Sequence, residues 1–356
     1  MKRSHLLGLT IVFLFVIGLW YYLTQPEKSN VADLYAKVTT DFDKEAISSI
    51  EARVLNQSGH GLELIKDKDG WKVGISKQGH SFWAPAKKSK VERLLGLLQG
   101  LQGEVRAEGK RHLSVFGLDE GKGLKVTLKK GKSDELSIII GGKGPEWGSS
   151  FVRRPGSNTV YLVQRDILSV FDIWSKRPDK PLDPDPWVNL KVIPAFPSDI
   201  DRCSYGSDVT DWVLSRLDEG EKDSTEKGKK VERWTFKKDD SLSEKSQKEV
   251  IAYLSKILPL KARDILPAEV LQKTNASKDR RLSAHFAYRL KAGPEKRVEI
   301  ASCSKKNKTC LVKAGQYVYK IDGSWKKMLD NPFSKEKKVA AKGKGSASKR
   351  GGNGKR

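Results

Sequence analysis

Ile47-Ser48-Ser49-Ile50-Glu51-Ala52-Arg53-Val54 opens a series of short segments that the chain repeats from Ile200, and this repetition sets the fold. The series turns at Ser58-Gly59-His60-Gly61, continues through Leu62-Glu63-Leu64-Ile65, and reaches Asp69-Gly70-Trp71-Lys72-Val73. Short apolar and β-branched runs bounded by Gly, Ser and Asp read as strands joined by turns. The second series runs Ile200-Asp201-Arg202-Cys203-Ser204-Tyr205, then Trp212-Val213-Leu214-Ser215-Arg216-Leu217, then Val231-Glu232-Arg233-Trp234-Thr235-Phe236. Trp71 and Trp234 fall on the third strand of each series, so both read as core residues.

An amphipathic helix follows in each series. Val91, Leu94, Leu95, Leu98 and Leu101 recur at three- and four-residue steps, as do Val250, Ile251, Leu254, Ile257 and Leu258. Lys87-Lys88 and Lys245 stand near the two starts, so neither helix has a strong acidic N-terminal signal. Next come paired strands, Leu124–Leu128 with Leu136–Ile140 and Ala284–Tyr288 with Arg297–Ile300. A last hairpin joins Phe151–Arg153 to Val160–Val163, and Cys310–Lys313 to Tyr317–Lys320, with a short helix closing each series near 165–173 and 323–330. The expected fold class is α+β: two duplicated domains, 43–174 and 198–330, of antiparallel strands with one amphipathic helix each. Pro178, Pro181, Pro184 and Pro186 make 175–197 a stiff linker between them.

Residues 6–23, LLGLTIVFLFVIGLWYYL, form an apolar run behind Met1-Lys2-Arg3. As a helix it reaches roughly 27 Å, close to the hydrocarbon thickness of a bilayer. Trp20, Tyr21 and Tyr22 suit the far headgroup zone, while Lys2 and Arg3 hold residues 1–5 in the cytoplasm. A cleaved secretory signal has a shorter apolar core and a small-residue cleavage site, and Thr24-Gln25-Pro26-Glu27-Lys28 supplies none. The expectation is an uncleaved single-pass signal anchor, a juxtamembrane segment at 24–42, and the bulk of the chain beyond the membrane. Gly8 and Gly18 are too far apart for a small-xxx-small helix contact.

The chain has 356 residues and a formal net charge of +24. Residues 335–356 hold seven Lys, two Arg and one Glu, contributing +8 and leaving +16 for the rest. Charge so distributed argues against a single nucleic-acid groove and for attraction to anionic lipid headgroups, envelope polymers or acidic partners. The segment 331–356 is read as a disordered basic tail, because its Lys, Gly, Ser and Ala cannot bury a core. With the tail outside the cytoplasm, nucleic acid is disfavoured as a partner.

Chemistry leaves few marks. Cys303 and Cys310 bracket the polar turn Ser304–Thr309 and could face each other across a hairpin; a disulfide there would contribute about 2–3 kcal/mol. Two unpaired strand cysteines fit the same pattern. His5, His60, His80, His112 and His285 show no metal-ligand spacing, and no Gly-x-Ser-x-Gly elbow occurs. Gly141-Gly142-Lys143-Gly144-Pro145-Glu146-Trp147-Gly148 lacks the Ser or Thr after Lys that a phosphate loop requires, and reads as a hairpin connection. Asp239-Asp240 and Asp183/Asp185 sit among turn and proline residues, as solvated carboxylates do. No catalytic residue, cofactor or metal is assigned. Trp83, in Ser81-Phe82-Trp83-Ala84-Pro85, and Trp147 lie in loop-like segments and are the candidate ligand platforms.

The tandem pattern, with its N-terminal anchor, Asp69-Gly70-Trp71-Lys72-Val73, Phe116-Gly117-Leu118-Asp119, Ile140-Gly141 and Thr159-Val160-Tyr161-Leu162-Val163, resembles an uncharacterised bacterial family. Its members are membrane-anchored duplicated proteins known as a domain of unknown function, often encoded beside gliding-motility-type ABC transporter components. The resemblance covers residues 43–330, weakens in the second copy, and brings no catalytic residues. Glu120-Gly121 replaces the proline that often follows the Gly-Leu-Asp step, and the basic tail is not part of the pattern. The resemblance implies an inner-membrane protein with its bulk in the periplasm. The expected function is a non-enzymatic scaffold or accessory subunit of an envelope or ABC-transporter-type complex, with a transporter permease as a partner. The alternative is a periplasmic binding module for an anionic envelope polymer.

Overall fold

Ile50, Ala52 and Val54 are buried while Glu51 and Arg53 are exposed, the period-two alternation of a strand with one face on a core. The structure, a computed structural model, describes residues 13–17, 20, 35–57, 61–217, 233–271, 284–291, 293–304, 306 and 308–334. It divides into two units, Met1–Asn189 and Leu190–Arg356.

The first unit contains β1 (Tyr35–Lys37), β2 (Ser49–Val54), β3 (Leu62–Asp67), β4 (Gly70–Lys77), β5 (His80–Pro85), α1 (Lys88–Leu98), β6 (Gln102–Glu108), β7 (Leu124–Lys130), β8 (Ser133–Lys143), β9 (Ser150–Arg153), β10 (Thr159–Val163) and α2 (Ile167–Val170). Its strands form one ten-stranded antiparallel sheet, ordered β1-β6-β10-β9-β8-β7-β2-β3-β4-β5. Helix α1 lays Val91, Leu94, Leu95 and Leu98 into the core, as its spacing predicts. Its N-cap is Lys87, which makes no side-chain capping bond.

The second unit contains β11 (Lys191–Ile193), β12 (Ile200–Ser207), β13 (Asp211–Arg216), β14 (Arg233–Lys238), β15 (Ser241–Ser246), α3 (Gln247–Ile257), β16 (Leu260–Lys261), β17 (Asp264–Leu266), β18 (Ala284–Leu290), β19 (Lys296–Ser304), β20 (Thr309–Ala314), β21 (Tyr317–Asp322) and α4 (Ser324–Asp330). Strands β11 and β16 pair separately; the main sheet runs β15-β14-β13-β12-β18-β19-β20-β21-β17. Read from β5 inward, the first sheet has the same connectivity strand for strand, with β1 added beyond β6. The duplication is therefore topological as well as sequential.

Aromatic residues with polar tips fix the end of the second unit. Trp212 Nε1 donates to Leu329 O (2.8 Å), Tyr253 Oη to Met328 O (3.3 Å) and Tyr205 Oη to Asp330 Oδ1 (2.6 Å). These bonds satisfy carbonyls and a carboxylate at the C-terminal turn of α4, where helical partners run out. Phe333 then packs on Phe236 and Tyr253 at centroid distances of 4.9 and 4.6 Å.

Several expectations are adjusted. Sheets dominate, so the mixed architecture is mainly antiparallel β with a few helices. Trp83 lies in strand β5, not in a loop. The first unit's core starts before residue 43, since β1 pairs with β6 and Val38, Thr39 and Phe42 are buried. The proline-rich segment is packed as well as stiff. Trp187 is buried under Phe171, Lys87 N donates to Trp187 O (2.8 Å), and Asn189 N donates to Pro85 O (2.7 Å). The anchor predicted at 6–23 falls mostly outside the described residues. Of it, 13–17 and 20 are helical, and Phe13, Leu14, Phe15, Val16, Ile17 and Trp20 are exposed. No helix among the described residues is long and apolar enough to cross a membrane. Of the tail read at 331–356, residues 331–334 belong to the fold, since Phe333 packs on Phe236 and Tyr253; residues 335–356 lie outside the described residues.

Candidate interaction surface

The glycines of Gly141-Gly142-Lys143-Gly144 serve close packing. A Cβ on Gly141 would stand 2.3 Å from Phe116 O and 2.8 Å from Leu118 Cγ; one on Gly144 would stand 2.2 Å from Ser149 Oγ. Only hydrogen fits at such approaches. The register of β8 against β9 shifts between Ile140 and Lys143, and the hairpin turn closes with Gly144 N donating to Ser149 O (3.0 Å). Ser149 donates to Glu146 O through both its amide (3.1 Å) and its hydroxyl (2.6 Å). The Gln164 amide holds the Glu146 carboxylate. The locked turn carries Trp147 at its tip, 98% exposed.

Chain after α2 returns alongside this hairpin. Lys143 N donates to Lys176 O (2.9 Å), and Lys143 Nζ donates to Trp174 O (2.9 Å) while lying 5.6 Å from the Trp174 ring centroid. That distance is within cation–π range. Arg177 Nη2 donates to Val115 O (2.8 Å), its stem passing over Gly117 and Gly142, where side chains would obstruct it. Trp174 and Val115 are exposed like Trp147. Among the described residues, Lys143, Lys176 and Arg177 reach no carboxylate within ion-pair distance. One corner of the first unit thus gathers exposed indoles, an exposed valine and three cations outside any ion pair among the described residues, with Arg177 acting through space on the Asp119 carboxylate.

Trp83 does not join this corner. Its ring lies across Gly74, with Cζ3 3.3 Å from where a Gly74 Cβ would be, and it is half-exposed on edge strand β5. Four strands lie between β5 and β8, so five inter-strand steps of about 4.8 Å place them roughly 24 Å apart along the sheet. Trp174, Lys143 and Arg177 were not singled out from sequence. Their only signal was a tryptophan flanked by basic residues at 174–177, and its neighbour Lys143 is far away in the chain.

Cys303 and Cys310 oppose each other across the β19–β20 hairpin and are joined by a disulfide, with Cα atoms 4.0 Å apart. Cys203 is buried and free, and burial pushes its thiol far above the ordinary range.

Of the histidines, His5 and His60 lie outside the described residues. His80 opens β5, and His112 accepts at Nε2 from Arg111 Nε (3.0 Å). His285 stands opposite Gly206 on one side and Glu299 on the other, its ring occupying the space a Gly206 side chain would take. Burial first, then Arg297, hold its pKa below the usual imidazole value, against the pull of Asp211, Glu295 and Glu299. Among the described residues no group of three His, Cys, Asp or Glu could hold a metal ion. Asp239 and Asp240 occupy the β14–β15 turn, and Asp185 pairs with Lys77 (3.3 Å), so these carboxylates are solvated or structural.

A family model described as a domain of unknown function (DUF4340) matches residues 81–284, more than half of the chain. The match runs from β5 of the first unit to the first residue of β18 in the second. No curated protein and no solved structure matches the chain.

Proposed function

We propose that this chain, which belongs to the DUF4340 family, is a non-catalytic, membrane-anchored periplasmic scaffold that serves as an accessory subunit of an ABC-transporter-type complex. The observation that carries the reading is the Trp147–Trp174 corner. Trp147, rigidly presented and 98% exposed, spends apolar surface on water with no folding benefit, as residues at interaction sites do. The apolar run at 6–23 keeps such a surface beside membrane proteins, and the Cys303–Cys310 disulfide suits an oxidising compartment outside the cytoplasm. The transporter link rests on the resemblance of the tandem pattern.

The test is purification of the full chain from native membranes in mild detergent. A transporter permease should copurify, with or without residues 335–356. Recovery of the chain alone, or salt-sensitive retention of an anionic polysaccharide that disappears with the tail, would overturn the reading in favour of a polymer-binding module.

A further inference from the structure

The duplication supplies an internal control for the exposed corner. The β8–β9 turn that carries Trp147 corresponds in the second unit to the β19–β20 turn, because each joins the same two positions of its sheet. There the turn is closed by Cys303–Cys310 and contains no aromatic residue, only Ser304-Lys305-Lys306-Asn307-Lys308-Thr309. The aromatic after the closing helix also differs: Phe333 is packed onto Phe236 and Tyr253, whereas Trp174 stands exposed. The repeat therefore folds without an exposed aromatic at either position. Trp147 and Trp174 have no exposed aromatic counterpart at the corresponding places of the second unit.

The chemistry of the corner selects its occupant. Trp147 is free on both ring faces and its edge, so a body that covers it must be concave; a linear polymer lying on one face leaves most of the ring in water. Trp174 offers a single face, the other being held by Lys143. Around them Lys143, Lys176 and Arg177 make no ion pair among the described residues, Arg177 acting on the Asp119 carboxylate only through space. Buried tryptophan anchors surrounded by complementary charge are the usual energetic centre of protein interfaces. A second copy of a chain with net charge +24 would bring like charge to like. We infer that the first unit docks an acidic protein surface through this corner, with Trp147 inserted into an apolar pocket of the partner and Lys143, Lys176 and Arg177 facing the pocket's carboxylate rim. The inference rests on the scaffold reading and specifies the partner's chemistry.

The experiment places the photo-crosslinking residue p-benzoylphenylalanine at position 147 of the full chain, in its own cells, with the same residue at Lys132 in the β7–β8 turn as control. The expected result is a discrete protein adduct from position 147, absent from position 132. The crosslinked peptide should lie beside acidic residues of another protein. The adduct should fall at least fivefold in Lys176→Glu, a charge reversal that leaves the Lys143–Trp174 and Arg177–Val115 hydrogen bonds in place, with the melting temperature of the chain unchanged. An adduct to lipid, to polysaccharide or to a second copy would overturn the inference, as would a protein adduct indifferent to charge reversal, or none. Where a permease still copurifies but position 147 gives no adduct, the docking inference fails alone; where neither is found, the scaffold reading fails with it.

Discussion

Trp147 and Trp187 stand at opposite ends of burial, 98% and 1% exposed, and so should respond oppositely to the same truncation. Trp187→Ala removes a large buried ring from between Phe171 and Lys90 and should cost about 3–5 kcal/mol, read as a lowered denaturant midpoint. Trp147→Ala should leave stability within about 0.5 kcal/mol. A comparable loss at both positions would mean that Trp147 packs on its own chain. At the cysteines, the native unreduced protein should take up no alkylating reagent, because Cys203 is buried and Cys303 is bonded to Cys310. Denaturation should expose one thiol, and denaturation with reductant three, counted by intact mass. The sequence carried the side-chain types at every one of these positions. It did not carry exposure: Trp187 sits in a proline-rich stretch that looks solvated, and its burial follows from the return of that stretch onto β5.

Elements with a long periodic buried face were legible, while short strands such as β17 and solvated edge strands such as β15 were not. The α1 and α3 stripes announced themselves because burial demands a 3.6-residue period, although Ile251 proves half-buried and Tyr253 takes the core place beside Leu254. Strand β15, Ser241-Leu242-Ser243-Glu244-Lys245-Ser246, was missed because it buries almost nothing. As an edge strand it takes its form from pairing with β14, which propensity does not encode. Strands β6 and β17 were missed likewise, since their order depends on pairing with β10 and β21, distant in sequence. The Ser246–Glu249 capping box was readable as Ser-x-x-Glu and passed over for the lysines around it; Ser246→Ala should cost about 1 kcal/mol in thermal or chemical unfolding. On the β18–β19 pair, the depressed His285 pKa gives a signed pH effect. The unfolded chain protonates near the ordinary value of about 6.5, the folded chain only at lower pH. Stability is thus full above that value and declines as pH falls through the folded pKa. His285→Gln, facing the same Asp211, Glu295, Arg297 and Glu299, should lose less stability between pH 7.5 and 5; equal losses would contradict the assignment.

At the scale of the whole molecule, the duplication was legible because both copies keep the same order of strand and helix signals, and nine strands of each unit share one sheet order. The corner on the first unit was legible only in part. Trp147 announced itself in a glycine-rich turn, but its companions came from a segment that returns to β8 after α2, an approach written in tertiary contacts and in the Gly141, Gly142 and Gly117 positions that permit it. At these two positions the first unit has exposed tryptophans while the second has a disulfide-closed turn and the packed Phe333, so the proposed docking falls on the first unit. The most direct measurement is the size of the membrane complex in mild detergent for the native chain and for the Trp147→Ala, Trp174→Ala double variant, at equal abundance and equal melting temperature. The account predicts that the native chain migrates in a large assembly and the double variant as the chain alone. An assembly of unchanged size in the double variant would contradict it.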